Sequence, residues 1–275
     1  MTLDATETRE LAALARRAAE TAGEVARRGF GHPRTAVDHK GAVDLVTDTD
    51  RAIETQLRQE LGGGTGFAFL GEEAGWSDRR PGPTWIVDPL DGTTNFVHRV
   101  PYFAISIGLW TIDESGERPL AGVVFNPVTR ECFWSDGERA WLGDSPLPAL
   151  APVDIDGALL ATGFPYDRRT NPDDNVGLWR AFMKRGQGIR RMGAAALDVA
   201  FLAAGRLDGF WEPRLQPWDL AAGLALARCV GARVTCYDGG DHRLESPDVV
   251  AAHPALHAQM LAVIARTRQG DHVET

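Results

Sequence analysis

The stretch WIVDPLDGTTNF, residues 85 to 96, puts two carboxylates, Asp88 and Asp91, at the end of an apolar run. Trp85, Ile86 and Val87 read as a buried strand that stops at Asp88, where Pro89, Asp91 and Gly92 force a turn. Carboxylates anchored at the rigid end of a strand, with a backbone carbonyl between them, suit a hard divalent cation. Asp88, Asp91 and the carbonyl of Leu90 are therefore candidate ligands. Beyond them, Gly92, Thr93 and Thr94 open a short helix through Asn95 and Phe96, and backbone N–H groups at such a start can bind phosphate. The same residues also suit an ordinary turn, since Asp, Pro and Gly recur there for conformational reasons alone.

Elements on either side must hold this stretch in place. From Asp4 to Arg28 the residues Leu11, Leu14, Ala15, Ala18, Ala22 and Val25 recur at helical spacing, which predicts an amphipathic packing helix. Residues 29 to 43 lack periodicity and read as a loop or irregular hairpin; Lys40 within it reads as a surface lysine. Val46 to Asp50 is an extended piece entering a helix striped by Ile53, Leu57 and Leu61. Phe67 to Leu70, Ala104 to Trp110, Leu120 to Asn126, Glu131 to Trp134 and Ala140 to Leu142 read as strands. The first half is thus expected to be α+β, with helices on a mostly antiparallel sheet. The Pro-rich SPLPALAPVD marks a boundary near residue 150, dividing the chain into 1–150 and 151–275.

In the second half strands at 159–162, 189–192, 208–211, 232–237 and 249–251 alternate with helices at 175–184, 194–204, 219–227 and 254–265. That alternation predicts an α/β arrangement with helices on the faces of a sheet. Several acids fall at element starts. Asp48, Thr49 and Asp50 serve as N-caps, as does Asp219 before an alanine-rich helix, and Glu72 and Glu73 read as a solvated loop. Successive strand side chains face opposite ways, so Glu72 and Glu73 are not expected to share one metal.

Composition excludes several classes. The 275 residues, 44% hydrophobic and 24% charged, suit a globular chain of one large domain or two joined halves. A net charge of −9 disfavours direct binding to nucleic acid or anionic lipid. No apolar run is long enough to span a membrane, and the acidic MTLDATETRE is unlike a secretory signal, so a cytoplasmic location is expected. The 3 cysteines, Cys132, Cys229 and Cys236, form no CxxC pair and read as reduced thiols, and the 7 histidines form no HExxH.

WIVDPLDGTTNF with the following NFVHRVP, GEE at 71–73 and WDLAAG at 218–223 resembles the signatures of the inositol monophosphatase family, magnesium-dependent and lithium-sensitive phosphatases. The resemblance runs from about Ala13 to Ala265. It implies a layered α-β-α-β-α sandwich of the sugar-phosphatase type, with an antiparallel first sheet, a mixed second sheet and one catalytic unit. It also implies two or three Mg²⁺ ions, with Mn²⁺ as a possible substitute, held by Glu72, Asp88, Leu90, Asp91 and Asp219. Asp50, Thr93 and Glu72 would be catalytic, with Thr93 polarised by Asp50 to orient a metal-activated water. Gly92, Thr93, Gly193, Ala194, Ala195 and Glu212 would meet the substrate, and Lys40 would lie on a loop near the metals.

Family members carry G-[ST]-A where this chain has Gly193, Ala194 and Ala195, so one hydroxyl contact is absent. The implied reaction is hydrolysis of a small polyol phosphate, with inositol monophosphate first, and histidinol phosphate or fructose 1,6-bisphosphate as alternatives. Nucleotide-specific relatives tend to read T-K-E-F after the first signature's glycine, where this chain has Thr93, Thr94, Asn95 and Phe96. The resemblance further implies a homodimer, and for some bacterial members an association with the transcription machinery.

Overall fold

The computed structural model describes residues 3–31, 37–39, 45–114 and 116–270, so Lys40 lies outside the described residues. Helix α1 (Ala5–Gly29) starts at a reciprocal cap: Asp4 Oδ1 accepts from the Glu7 N–H at 2.9 Å, and Glu7 Oε2 accepts from the Asp4 N–H at 2.8 Å. Its buried face is made of small residues, Ala12, Ala15, Ala18, Ala19, Ala22 and Ala26. Leu11, Leu14 and Val25, expected on that stripe, are only partly buried at its edges. The hairpin β1 (Val37–His39) and β2 (Leu45–Thr47) leads into α2 (Asp48–Leu57), which ends in a π-helical turn at Arg58–Gly63. Ile53, Leu57 and Leu61 are wholly buried, as their spacing predicts.

The first sheet comprises β3 (Ala68–Gly71), β4 (Gly75–Trp76), β5 (Gly82–Asp91), β6 (Ala104–Asp113), β7 (Gly116–Phe125), β8 (Cys132–Ser135), β9 (Ala140–Leu142) and β10 (Ser145–Pro146). Its order is β10-β9-β8-β7-β6-β5-β3-β4, and it is antiparallel except where β3 runs parallel to β5. With that one parallel pair the sheet is mostly antiparallel, as expected. Helix α2 and its π turn precede β3, and β4, antiparallel to β3, returns the chain to the end from which β5 starts parallel to β3. The short α3 (Thr93–Val97) follows β5.

The second sheet holds β11 (Leu159–Thr162), β12 (Gly188–Arg190), β13 (Gly209–Pro213), β14 (Arg233–Thr235) and β15 (Asp248–Ala252) in the order β12-β11-β13-β15-β14. It is mixed, with β11 parallel to β12 and β13, and β15 antiparallel to β13 and β14. Its helices are α4 (Val176–Met183), α5 (Ala195–Ala203), α6 (Pro217–Cys229) and α7 (Pro254–Arg268). Four apolar clusters define the layers: α1 and α2 on the outer face of the first sheet, α5 and α6 between the sheets, and α4 and α7 outside the second.

The middle layer explains the composition of its helices. Helix α6 touches apolar surface on both sides, so Leu220, Ala221, Ala222, Leu224, Ala225, Leu226 and Ala227 are all buried. It approaches so closely that a Cβ at Gly108 would lie 2.7 Å from the Ala221 Cβ, and one at Gly122 would lie 2.5 Å from the Ala222 carbonyl. The two glycines let the backbones meet, and they fix α6, with Asp219 at its start, over the C-terminal part of β5. Among the described residues no helix is long and apolar enough to cross a membrane.

Candidate active site

Strand β5 does not stop at Asp88, as its sequence suggests, but runs on through Pro89 and Leu90 to Asp91. Its register against β6 slips there, with Asp88 opposite Ser106 and Asp91 opposite Ala104. One extra residue is accommodated, a bulge that interrupts the alternation of faces and lets both carboxylates line one cavity. The Leu90 N–H donates to Asp88 Oδ1 at 2.8 Å, which fixes that carboxylate. The Leu90 side chain is wholly buried in the outer core, while the residue still lines the cavity. Gly92 then turns the chain with φ 93°, and a Cβ there would stand 3.1 Å from the Tyr102 carbonyl and 3.2 Å from the Ala194 Cβ. Only glycine fits both constraints.

Glu72, Glu73, Asp88, Leu90, Asp91, Gly92, Thr93 and Asp219 line this first chamber, together with Tyr166, Gln216 and Trp218. Glu72 and Glu73 both reach it, because the chain turns directly after β3 and strand alternation does not apply to them. Asp219 does not cap α6 as expected. It sits in the first turn, where its Oδ2 accepts from the N–H of Gln216, the true N-cap, at 2.7 Å. Asp50 likewise lies inside α2, fully buried behind the chamber. Its Oδ1 is 3.0 Å from the Thr93 hydroxyl, which is also 3.1 Å from the Leu90 carbonyl; with one proton, Thr93 donates to one of them at a time.

The chamber is electrostatically one-sided. No basic side chain among the described residues lines it. Burial holds Asp88 well above the usual carboxylate range, and repulsion from Glu72, Asp91 and Asp219 adds to it. Asp91 is raised by burial and then by Asp219, against the lowering effect of the Ala196 N–H. Four oxygen-bearing acids crowded together suit a hard cation such as Mg²⁺. Among the described residues no three acid, histidine or cysteine side chains stand close enough together to form a ready metal cage.

A second chamber adjoins the first and shares Asp91, Tyr166, Gln216 and Asp219 with it. Its own walls include Gly163, Arg191, Gly193, Ala194, Ala195, Asp198 and Glu212. Glu212 is held above its usual range by burial and then by Asp198. A Cβ at Gly163, the residue after β11, would occupy the place of the Glu212 carboxyl group, so glycine there leaves room for that carboxylate beside the strand end. Asp91 joins the chambers: its two oxygens accept from the N–H groups of Ala195 at 3.2 Å and Ala196 at 2.8 Å, at the start of α5.

Sequence reasoning missed several residues that position these groups. Glu54, 3% exposed, accepts from the N–H groups of Glu73 at 2.7 Å and Ala74 at 2.9 Å, and from Arg58 at 3.1 Å, pinning the turn that carries Glu72. Its one sequence signal is the Glu54–Arg58 spacing of a helical ion pair. Asn95 Nδ2 donates to the carbonyls of Tyr102 at 2.7 Å and Met192 at 2.8 Å, tying α3 to the wall of the second chamber. Asp198 and Tyr102, bonded at 2.7 Å, gave no signal beyond a buried place in a helix and a loop.

Comparison with known proteins agrees with this geometry. The model of the inositol monophosphatase family matches residues 7–269. An inositol-1-monophosphatase of Caulobacter vibrioides is 40% identical over 250 residues, covering 89% of this chain and 96% of the relative. A Pseudomonas aeruginosa protein named Nus factor SuhB is 38% identical, covering 91% of this chain and 94% of its own. Among solved structures, the inositol monophosphatase from Anabaena superposes with a TM-score of 0.84 at 32% identity, over 94% of this chain and 96% of that one. The chain belongs to the inositol monophosphatase family and is a phosphoric monoester hydrolase.

Proposed function

We propose that the protein hydrolyses the phosphate monoester of a small polyol, inositol monophosphate above all, in a magnesium-dependent reaction within a single catalytic unit to which residues 1–150 and 151–275 both contribute. The observation that carries this reading is the first chamber: an anionic phosphate cannot settle among Glu72, Glu73, Asp88, Asp91 and Asp219, with no basic residue of the described chain lining the space, unless cations intervene. Glu72, Asp88, Asp91, Asp219 and the Leu90 carbonyl would hold two or three Mg²⁺ ions, with Mn²⁺ able to replace them. Bound there, the ions would neutralise phosphate charge and lower the pKa of water.

The chain's own residues do the rest. When the Thr93 hydroxyl donates to Asp50, its lone pairs are free to accept from the attacking water, and the proton can pass through Thr93 to the buried carboxylate. N–H groups of Gly92 and Thr93 would bind phosphate oxygens, Gly193, Ala194 and Ala195 would form the wall beside the leaving group, and Glu212 would accept from ring hydroxyls. General acid–base help supplies only about 10²- to 10⁴-fold. Most of the acceleration must therefore be electrostatic.

The test is phosphate release from inositol 1-phosphate, glycerol 2-phosphate, histidinol phosphate and fructose 1,6-bisphosphate, each with Mg²⁺, with Mg²⁺ plus lithium, and with a chelator. Preference for the inositol ester, abolished by chelator and weakened by lithium, is the expected result. Preference for histidinol phosphate keeps the mechanism and changes the substrate; no release with Mg²⁺ from any ester refutes the reading. A second reading, association with the transcription machinery, is supported by the name of the Pseudomonas aeruginosa relative. Its check is whether RNA polymerase co-purifies with the tagged chain. A homodimer is expected in solution, to be checked by mass against the 29.8 kDa chain.

A further inference from the structure

The second chamber contains more acid than a single hydroxyl acceptor requires. Glu212, 8% exposed, receives no hydrogen bond from any described residue. Asp198, 1% exposed, lines the same chamber one turn into α5. Only its Oδ1 has a protein donor, the Tyr102 hydroxyl at 2.7 Å, and its Oδ2 has none among the described residues. Arg191 lines the chamber as well and acts on both acids electrostatically without hydrogen-bonding to either. Two almost fully buried carboxyl groups with open acceptor sites, facing one space, call for a ligand that donates hydrogen bonds from more than one position.

We propose that Asp198 is a specificity-determining residue that accepts a second ring hydroxyl of the substrate, so that Glu212 and Asp198 together read a cyclic polyol at two positions. Resting on the polyol phosphatase reading above, this assignment adds a residue and narrows the substrate class. Tyr102 is a positioning residue: its hydroxyl occupies Oδ1 and leaves Oδ2 for the ligand. A linear ester with one or two hydroxyls engages Glu212 alone and gains nothing from Asp198.

Steady-state kinetics on Asp198→Asn test it. Asparagine keeps the size of the side chain and an oxygen for Tyr102, so the local fold is retained. The ratio of kcat/KM for inositol 1-phosphate to that for glycerol 2-phosphate should fall about tenfold, with the change in KM. Tyr102→Phe, which loses the Tyr102 bond but keeps both carboxyl oxygens, should move the ratio less than Asp198→Asn does. An unchanged ratio in Asp198→Asn, whether both esters fall alike or neither falls, would overturn the proposal. A loss confined to histidinol phosphate would overturn it too, because Asp198 would then read an ammonium group. Should the wild-type chain release phosphate from no ester, the catalytic reading fails separately. Saturation-transfer NMR with myo-inositol still decides the inference, since it needs no turnover. Signal with the wild type that is lost in Asp198→Asn supports it; equal signal in both, or none in either, overturns it.

Discussion

The two chambers meet at Asp91 and Asp219, yet they are built in different ways. The first draws Asp88, Leu90, Asp91, Gly92 and Thr93 from one short run at a strand end, where a bulge turns neighbouring residues onto one face, and completes the set with Glu72, Glu73 and Asp219 from two other segments. The second takes Gly163, Arg191, Asp198 and Glu212 from four separate segments, each placed by packing of α5 and the second sheet. Chemistry that needs fixed charge density sits on a short rigid segment, whereas recognition is dispersed over elements that can vary one at a time. If that division is real, substitutions in the first chamber should act on kcat for every ester, and those in the second on the choice among esters.

The largest effect is expected from Asp91→Asn, since Asp91 belongs to both chambers. It should lower kcat by about 10²- to 10³-fold on all esters, the scale of losing one well-placed electrostatic group. Asp219→Asn should do the same. Neither variant should unfold without metal, because each removes a carboxylate that repels its neighbours. Circular dichroism and phosphate release on the same samples check this; activity that persists in either variant removes that residue from the site.

Glu54→Ala comes next. It strips a buried acceptor from the N–H groups of Glu73 and Ala74, at about 1–3 kcal/mol for each group left unsatisfied. Urea denaturation should show the loss, and kcat should fall with the placement of Glu72 while the ranking of esters stays as it was. Asn95→Ala should be milder, about tenfold, and should appear in KM as well as kcat. Its amide ties α3, in the first chamber, to the Met192 carbonyl beside the second. An Asn95→Ala effect confined to kcat would argue that the chambers are not coupled through this bond.

Legibility in the sequence follows the same division. The strand positions 140–142 and 159–162, the stripe Ile53–Leu57–Leu61 and the carboxylates of WIVDPLDGTTNF could be read directly, because periodicity and turn residues are local signals. The bulge could not, because it depends on how β5 is registered against β6, and that register is set by contacts across the sheet. Nor could the small-residue face of α1: an alanine carries little hydrophobic signal, and only the closeness of helix and sheet makes Ala12, Ala19 and Ala26 the buried positions. Asp219 looked like an N-cap because Gln216, the residue that fills that role, is a weaker capping type. Asp198 and Glu54 are acids at helix positions that read as solvent-facing until the neighbouring layer is in place.

The smallest expected effect separates the chambers by pH. Burial raises Asp198 to about 7, from the usual carboxylate value near 4 that it would have in the unfolded chain. Between those values the folded protein binds the proton more tightly than the unfolded one does. Asp198 therefore favours the folded state most at acid pH, and this contribution is lost as pH rises from about 4 to about 7. A melting temperature that declines over that window in the wild-type chain should decline less in Asp198→Asn, which has no proton to lose. The comparison is best made with saturating Mg²⁺ in both samples, so that the carboxylates of the first chamber are compensated alike. Equal slopes would mean that Asp198 is ionised in the folded protein throughout, with Arg191 balancing it; the second chamber would then bind its ligand as a charged acceptor at every pH in this range.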